Sequence, residues 1–513
     1  MLQRGRRYQG ILLDTPVRTR IYPVRLSFYR TAMNSSKRKA PPSQEKQPTK
    51  RAKVEVPEYH LTPSIKNEDG SIQWPAPQAQ IGRAREIILQ SAKSDGNVLI
   101  VPDKDADGLS AGAILRHTLI LLGLSKERIH VHLLSKGTNI HSEDERQKMA
   151  SCSPAFVFVV DQGSRSGPSI IDSPHTGLII DHHHATEQDF PAGSEHVTAC
   201  LSPPVATSAL LTHHLCEPLH PDVASTTDWL CVVGTHGDLG NTLKWEPPFP
   251  DMKPTMKKYS KKTLNDVVSL INAPRRTATF DVRSAWDALC ETAEPASVLK
   301  NPRLLAARAE VNAEVERVTH TAPKFSPDGK IAVFRIKSQA QVHPVIATRW
   351  AGHLQSKALE IVLVANEDYT EGKVHFSCRI PRCARSRDPP VNIIESLKAY
   401  ARLPEVGIAD DEGGTEGVKL EDDGTADLEA APKIPLLERL GDNFARGHVQ
   451  ASGGIVEKED FEDLMRRMQI GVKVAKTMGE KDASSAKGKG KAIDGGQKNT
   501  LLGYFGKKAA AKS

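Results

Sequence analysis

Two hydrophobic rhythms run through this 513-residue chain. Short continuous apolar runs at 98–101, 156–160 and 178–180 are rich in β-branched residues and too short for helices. They have the pattern of central strands covered on both faces. Elsewhere apolar residues fall at helical spacing, across 109–122, from near Thr226 to about Asp238, and across 303–318. Strand runs alternating with helical patterns predict an α/β fold on a parallel sheet. Residues 409–431 are acidic, Gly-rich and without periodicity, so they have almost nothing apolar to bury and are expected to form a disordered insertion. Helical periodicity resumes at Ile434.

Charge divides the chain differently. The net charge is +7, with +12 in residues 1–53 and +7 in residues 473–513, which leaves about −12 on the span 54–472. Basicity therefore belongs to the tails, and a nucleic-acid-binding core cannot be inferred from the overall charge. The acidic span is long enough for two domains with sizeable interiors. Seven scattered cysteines form no paired Cys-x-x-Cys units, which argues against zinc and a disulfide framework and for a reducing compartment. No apolar stretch reaches membrane-spanning length, so no membrane partner is expected. Lys37, Arg38 and Lys39 are separated by a Pro/Gln spacer from Lys50, Arg51 and Lys53, an arrangement that suits an import receptor and predicts a nuclear location. Residues 1–32 hold seven arginines and one acid, the composition of a mitochondrial presequence, and Met33 follows directly. A mitochondrial location stays open if translation starts at Met1.

Four segments bring Asp or His to the end of an apolar element. Asp103, Asp105 and Asp107 follow the first strand; Asp161 follows the second; Asp181, His182, His183 and His184 follow the third; His236-Gly-Asp238 ends a helix. Crowded carboxylates repel one another unless a cation neutralises them. Oxygen-rich ligation with one or two imidazoles suits Mn²⁺ or Mg²⁺ better than zinc. Enough carboxylates are present for two ions sharing a bridging ligand, the arrangement that serves displacement at phosphorus.

In this order the four segments resemble the motifs of the DHH phosphoesterase superfamily: Asp-x-Asp-Ala-Asp-Gly, the strand-end Asp161, Asp181-His182-His183, and Gly-x-x-x-Asp over 234–238. The stretch "SLINAPRRTATFD" (269–281) is similar to the segment that follows in the RecJ-like branch. "VHFSCRIPR" (374–382) and "ARGHVQASGG" (445–454) resemble signatures of the DHHA1 substrate-binding domain. The resemblance implies a parallel-sheet DHH domain (77–302), a connecting helix (303–322) and a smaller α/β DHHA1 domain (323–472); by composition the flanking regions 1–76 and 473–513 are expected to be disordered and basic. It also implies metal ligation by Asp103, Asp105, Asp107, Asp161, His182 and Asp238, with Asp161 bridging the ions. His183 would face the substrate phosphate, and Asp181 would accept a proton from His182 and fix its tautomer. Ser377 and Arg379 would hold a neighbouring phosphate, and His448 with the Gly447 and Gly453 backbone would approach the substrate. Arg446 stands where the family has a glycine, which puts close backbone approach there in doubt and offers a guanidinium instead.

RecJ-like enzymes are single-strand-specific 5′→3′ exonucleases, so the implied partner is single-stranded nucleic acid, with DNA favoured. Small-oligonucleotide phosphodiesterases share the motifs, and an inactive relative occurs in the eukaryotic replicative helicase. Every ligand position is filled here, which favours catalysis over a scaffold role. Finally, Leu501, Tyr504 and Phe505 have the spacing of a sliding-clamp-binding box, with Lys498 in place of its usual Gln.

Overall fold

The computed structural model describes residues 63–404, 434–441 and 443–472. The basic cluster Lys37–Lys53, the acidic stretch 409–431 and the tail residues Leu501, Tyr504 and Phe505 lie outside them. The described chain begins with α1 (Gln78–Lys93), β1 (Asn97–Pro102), α2 (Ala106–Leu121), β2 (Ile129–Val131), α3 (Glu143–Ala150), β3 (Pro154–Val160), β4 (Thr176–Asp181) and β5 (Glu195–Thr198). The five strands form one all-parallel sheet in the order β2-β1-β3-β4-β5. Alternate strand residues serve opposite faces, as a period of two requires. Leu99, Val101, Val157, Val159 and Ile179 pack with Met149 and Ile170 on one face. Val98, Ile100, Phe158, Val160, Leu178 and Ile180 join the larger core on the other. The strands read as unbroken apolar runs because both faces are covered.

The larger core is closed by α4 (Ser208–Cys216), α5 (Val223–Leu239), α6 (Lys253–Tyr259), α7 (Lys261–Ile271), α8 (Val282–Cys290) and α9 (Pro295–Val298). Helix α2 packs against α4, α5 and α8 as well as β1, and twelve of its sixteen residues are buried. This explains why its sequence is apolar almost all round. Helix α10 (Pro302–Val318) leads away from this unit, with Pro302 at its first position and the Asn301 side chain accepting from Arg303 N and Leu304 N.

The second unit comprises β6 (Lys324–Phe325), β7 (Ile331–Ile336), α11 (His343–His353), β8 (Ile361–Thr370), β9 (Lys373–Arg379), α12 (Ile393–Ala401), α13 (Leu436–Arg439), β10 (Arg446–His448), β11 (Ala451–Glu457) and α14 (Lys458–Arg467). Its sheet runs β10-β11-β9-β8-β7-β6, antiparallel except for the β7–β8 pair. Apolar clusters cover both faces. The architecture is the expected one: a parallel α/β unit followed by a smaller α/β unit.

Candidate active site

Register places the carboxylates before any side-chain contact does. Strands β1, β3 and β4 are adjacent, with Val101 level with Val159 and Val159 level with Ile179. Their carboxyl ends therefore finish side by side. Asp103 N donates to Val160 O (3.0 Å) and Asp161 N to Ile180 O (2.9 Å), which aligns the residues that follow. In a sheet ordered 2-1-3-4-5 the connections diverge between β1 and β3, where α/β folds open a crevice for ligands. Asp103 and Asp161 sit at that point. The C-terminal turn of α5, packed on α2, brings Asp238 to the same edge.

Oxygen and imidazole donors converge there in overlapping sets. Asp103, Asp105 and Asp161 offer atoms within 4.8 Å of one another, and so do Asp107, His182 and Asp238. A third set, Asp161, His182 and His183, links the first two. His182 Nε2 lies 3.4 Å from Asp161 Oδ1 and 3.3 Å from Asp238 Oδ2, yet is buried without a hydrogen bond that satisfies it. Burial, reinforced by the charges of Asp238 and Asp105, pushes Asp107 up to about 7. Burial and the charges of Asp107, Asp105, Asp238 and Asp103 hold Asp161 well above the ordinary carboxylate range. Carboxylates that cannot all ionise together, beside an unsatisfied imidazole nitrogen, fit divalent cations. The donor set, five carboxylates and two imidazoles, is that of Mn²⁺ or Mg²⁺. Asp161 has φ +62, a left-handed backbone uncommon for a non-glycine residue and a frequent mark of functional sites.

One expected contact is corrected. Asp181 does not pair with the His182 ring; its Oδ1 accepts from His183 Nδ1 at 2.8 Å. Asp181 is the last residue of β4, and its carboxylate also accepts from the backbone N–H of His182 (2.7 Å), His183 (3.3 Å) and Ser164 (3.2 Å). The turn this creates curls His183 back over Asp181 and releases His182 toward Asp161 and Asp238. Burial works against ionisation of Asp181, but the His183 contact outweighs it and holds the carboxyl at about 2. Burial likewise opposes protonation of His183, and the Asp181 contact overcomes it, raising the ring to about 9.

Above the cluster lies a cleft of about 900 Å³ between the two units. Asp103, Asp161, His183 and His184 line it from the first unit, as do His141 and Arg165; Lys398 and Arg446 line it from the second. The remaining candidates fall elsewhere. Ser377 and Arg379 are on β9, where Arg379 Nη1 donates to Ser377 Oγ (3.0 Å) and Cys378 O (2.8 Å). Gly447 and His448 belong to the β10–β11 hairpin, paired with Ser452 and Ala451. Gly453 answers to the sheet: a Cβ there would stand 2.5 Å from Phe376 O, so the adjacent strand alone requires its absence.

Two arginines in 269–281 received no individual role from the sequence. Arg275 Nη2 lies 3.8 Å from Asp105 Oδ2, and its Nε donates to Asn272 Oδ1 (3.0 Å). Gln341 N of the second unit donates to Arg276 O (2.9 Å), so this turn joins the carboxylate cluster to that unit. Arg276 makes no ion pair among the described residues. Burial, then the positive charges of Arg275 and Arg379, pull it down to about 9. The signal was present in the Arg-Arg doublet, but only tertiary packing brings Arg379 beside it.

No protein-family model and no curated protein matches the chain. Solved structures do. A DHH domain described as a member of the s1p family of ribosomal proteins aligns with 77% of this chain and 92% of its own, at 13% identity and a TM-score of 0.52. The two share a fold. RecJ from Thermus thermophilus, solved with Mn²⁺, is also similar (16% identity, TM-score 0.49, 76% of this chain). The chain spans about half of that RecJ's length, 54%. CDC45 from Entamoeba histolytica is similar at 9% identity and a TM-score of 0.40, covering 76% of this chain and 99% of that one. Among the described residues, no helix is long and apolar enough to cross a membrane.

Proposed function

We propose that this protein is a Mn²⁺- or Mg²⁺-dependent phosphodiesterase that degrades single-stranded nucleic acid, DNA in preference, from the 5′ end. The observation that carries the reading is the pair of ligand sets linked through Asp161 and His182 at the floor of a cation-lined cleft. Asp103, Asp105 and Asp161 would hold one ion, and Asp107, His182 and Asp238 the other. Bound there, the ions would supply Lewis acidity toward a phosphoryl oxygen and lower the pKa of an attacking water.

The chain's own residues supply the rest. His183, held by Asp181 and lining the cleft, would donate a hydrogen bond to the scissile phosphate or leaving oxygen. Arg276 and Arg379, which have no carboxylate ion pair among the described residues, would grip a second phosphate and fix the strand's register. Arg165, Lys398 and Arg446 line the path a polyanion would follow. A duplex must unpair to enter, at about 1.4 kcal/mol per base-pair step, which favours single strands. The C-terminal residues Leu501, Tyr504 and Phe505 would tether the enzyme to the sliding clamp, and the basic cluster Lys37–Lys53 would take it to the nucleus, placing it in DNA replication or repair.

The test is hydrolysis by the purified protein, with Mn²⁺, of end-labelled single- and double-stranded DNA, single-stranded RNA and dinucleotides. Mononucleotide release from the 5′ end of single-stranded DNA, abolished by EDTA, is the expected result. Cleavage confined to dinucleotides and short oligomers would replace it with the small-oligonucleotide phosphodiesterase reading. No cleavage of any substrate would leave the scaffold role.

A further inference from the structure

Two of the buried carboxylates are held by an element that contributes no ligand. Helix α4 starts at Ser208, and the first N–H groups of a helix have no partner within it. Here they are spent on Asp107: Ser208 N donates to its Oδ2 at 2.7 Å and Ala209 N to its Oδ1 at 3.0 Å. The fully buried Ser208 side chain turns the other way, and its Oγ donates to Asp161 Oδ1 at 2.8 Å. One residue thus grips a carboxylate from each of the two main ligand sets.

The surroundings are built for this approach. On α5, a Cβ at Gly234 would stand 2.3 Å from the Ala209 Cβ and 3.0 Å from Asp107 Oδ1. The glycine that opens the Gly-x-x-x-Asp motif is therefore the gap into which the first turn of α4 fits. Asp161, with its left-handed backbone, follows β3 in a direction no relaxed strand would give it, so something other than the strand must set its side chain. Beside it, the α4 cap is secured independently: Thr207 Oγ1 accepts from Leu210 N (3.4 Å) and lies 3.2 Å from Thr235 Oγ1 of α5.

We propose that Ser208 is a positioning residue for the metal centre, orienting Asp161 through its hydroxyl and Asp107 through its backbone N–H, so that both ligand sets are pre-formed before any ion arrives. This rests on the reading of the cluster as a metal centre. A hydroxyl donating to one oxygen of Asp161 leaves the other oxygen free for ligation, and removing it lets the carboxylate rotate out of the shared position.

The test is calorimetric titration of the full-length protein with Mn²⁺, without nucleic acid, comparing wild type, Ser208→Ala and Ser208→Thr. Partners that orient metal ligands are typically worth about 10–100-fold in affinity. Ser208→Ala is expected to lose affinity in that range, and Ser208→Thr, which keeps the hydroxyl, to recover most of it. At saturating Mn²⁺ the KM for a single-stranded oligonucleotide should stay at the wild-type value while kcat falls. Should Ser208→Ala fail to fold, Ser208→Cys, with similar volume and a weaker donor, is read by the same criterion. Wild-type affinity and stoichiometry in the hydroxyl-free variant would overturn the proposal and leave the metal centre standing. A wild-type protein that binds no Mn²⁺ would instead overturn the metal centre itself, and this role with it.

Discussion

Asp161 is where individual side chains matter most. It lies in two of the three ligand sets, is buried, and is held above the ordinary carboxylate range by burial and four neighbouring acids. Asp161→Ala should abolish hydrolysis. Because the substitution also removes repulsion, the EDTA-treated variant should unfold at or above the wild-type temperature. Mn²⁺ at a hundred times its dissociation constant stabilises a protein by about 2.7 kcal/mol, a gain the wild type should show in a melting experiment and Asp161→Ala should lack. Equal Mn²⁺ stabilisation of both would mean the ions bind elsewhere. The Asp181–His183 contact makes a separate prediction: Asp181→Asn and His183→Ala should each slow turnover, and the double variant should be no slower than the worse single one. Additive losses in that double-mutant cycle would show that the two act independently.

At the level of elements, α3 anchors the segment between it and β2 that lines the cleft. Glu145 on α3 is only 1% exposed in its side chain and lies 2.6 Å from His132 Nε2, while Lys148 Nζ donates to it at 3.1 Å. Asn139, Ile140 and His141, in the segment it clamps, form part of the cleft wall. Burial raises the Glu145 carboxyl, but hydrogen bonds from Ser135, His132 and Lys148 outweigh it and hold the group at about 2. A depressed carboxyl stabilises the fold above its unfolded value near 4.5, and that stability is lost as pH falls through 2. At 1.36 kcal/mol per unit the contribution at pH 7 is about 3 kcal/mol. Urea unfolding should show Glu145→Gln less stable by roughly that amount at pH 7, with the gap closing toward pH 2. A constant gap across that range would assign the loss to packing and not to charge.

For the whole molecule, acid sensitivity should come from rings outside the ligand sets. Burial, helped by nearby positive charge, lowers His214 and His375 to about 4 and His343 to about 3. The unfolded chain protonates these rings near 6.5 and the folded chain does not, so unfolding takes up protons between those values. Stability from this source is intact above about pH 6.5 and falls as pH drops toward 4, with a slope approaching about 4 kcal/mol per pH unit near pH 5 for three rings. Denaturant unfolding followed from pH 7 to 4.5 measures it, and a flat profile would mean that the rings open to solvent without unfolding. Both units contribute, His214 from α4 and His343 and His375 from the second unit, so one acid transition should affect the whole described chain.

The apolar runs before Asp103, Asp161 and Asp181 were legible in the sequence because a doubly covered strand must be apolar throughout, and because a carboxylate after such a strand can only lie at the sheet edge. That fixed the parallel sheet, its helical cover and the residues that converge. Pairwise contact within the cluster was not legible. Whether Asp181 meets His182 or His183 depends on how a three-residue turn closes on backbone N–H groups, and adjacent residues of the same type look alike in sequence. Ser208 sits in an ordinary helix start, and its partners lie 47 and 101 residues away. Arg379 beside Arg276, and Gly453 against Phe376, likewise follow from the packing of one sheet or of two units. Local pattern determined which residues reach the edge, since periodicity and chain direction act within a few residues. Which side chain meets which was decided by the tertiary structure, where the contacts join segments that local propensity cannot relate.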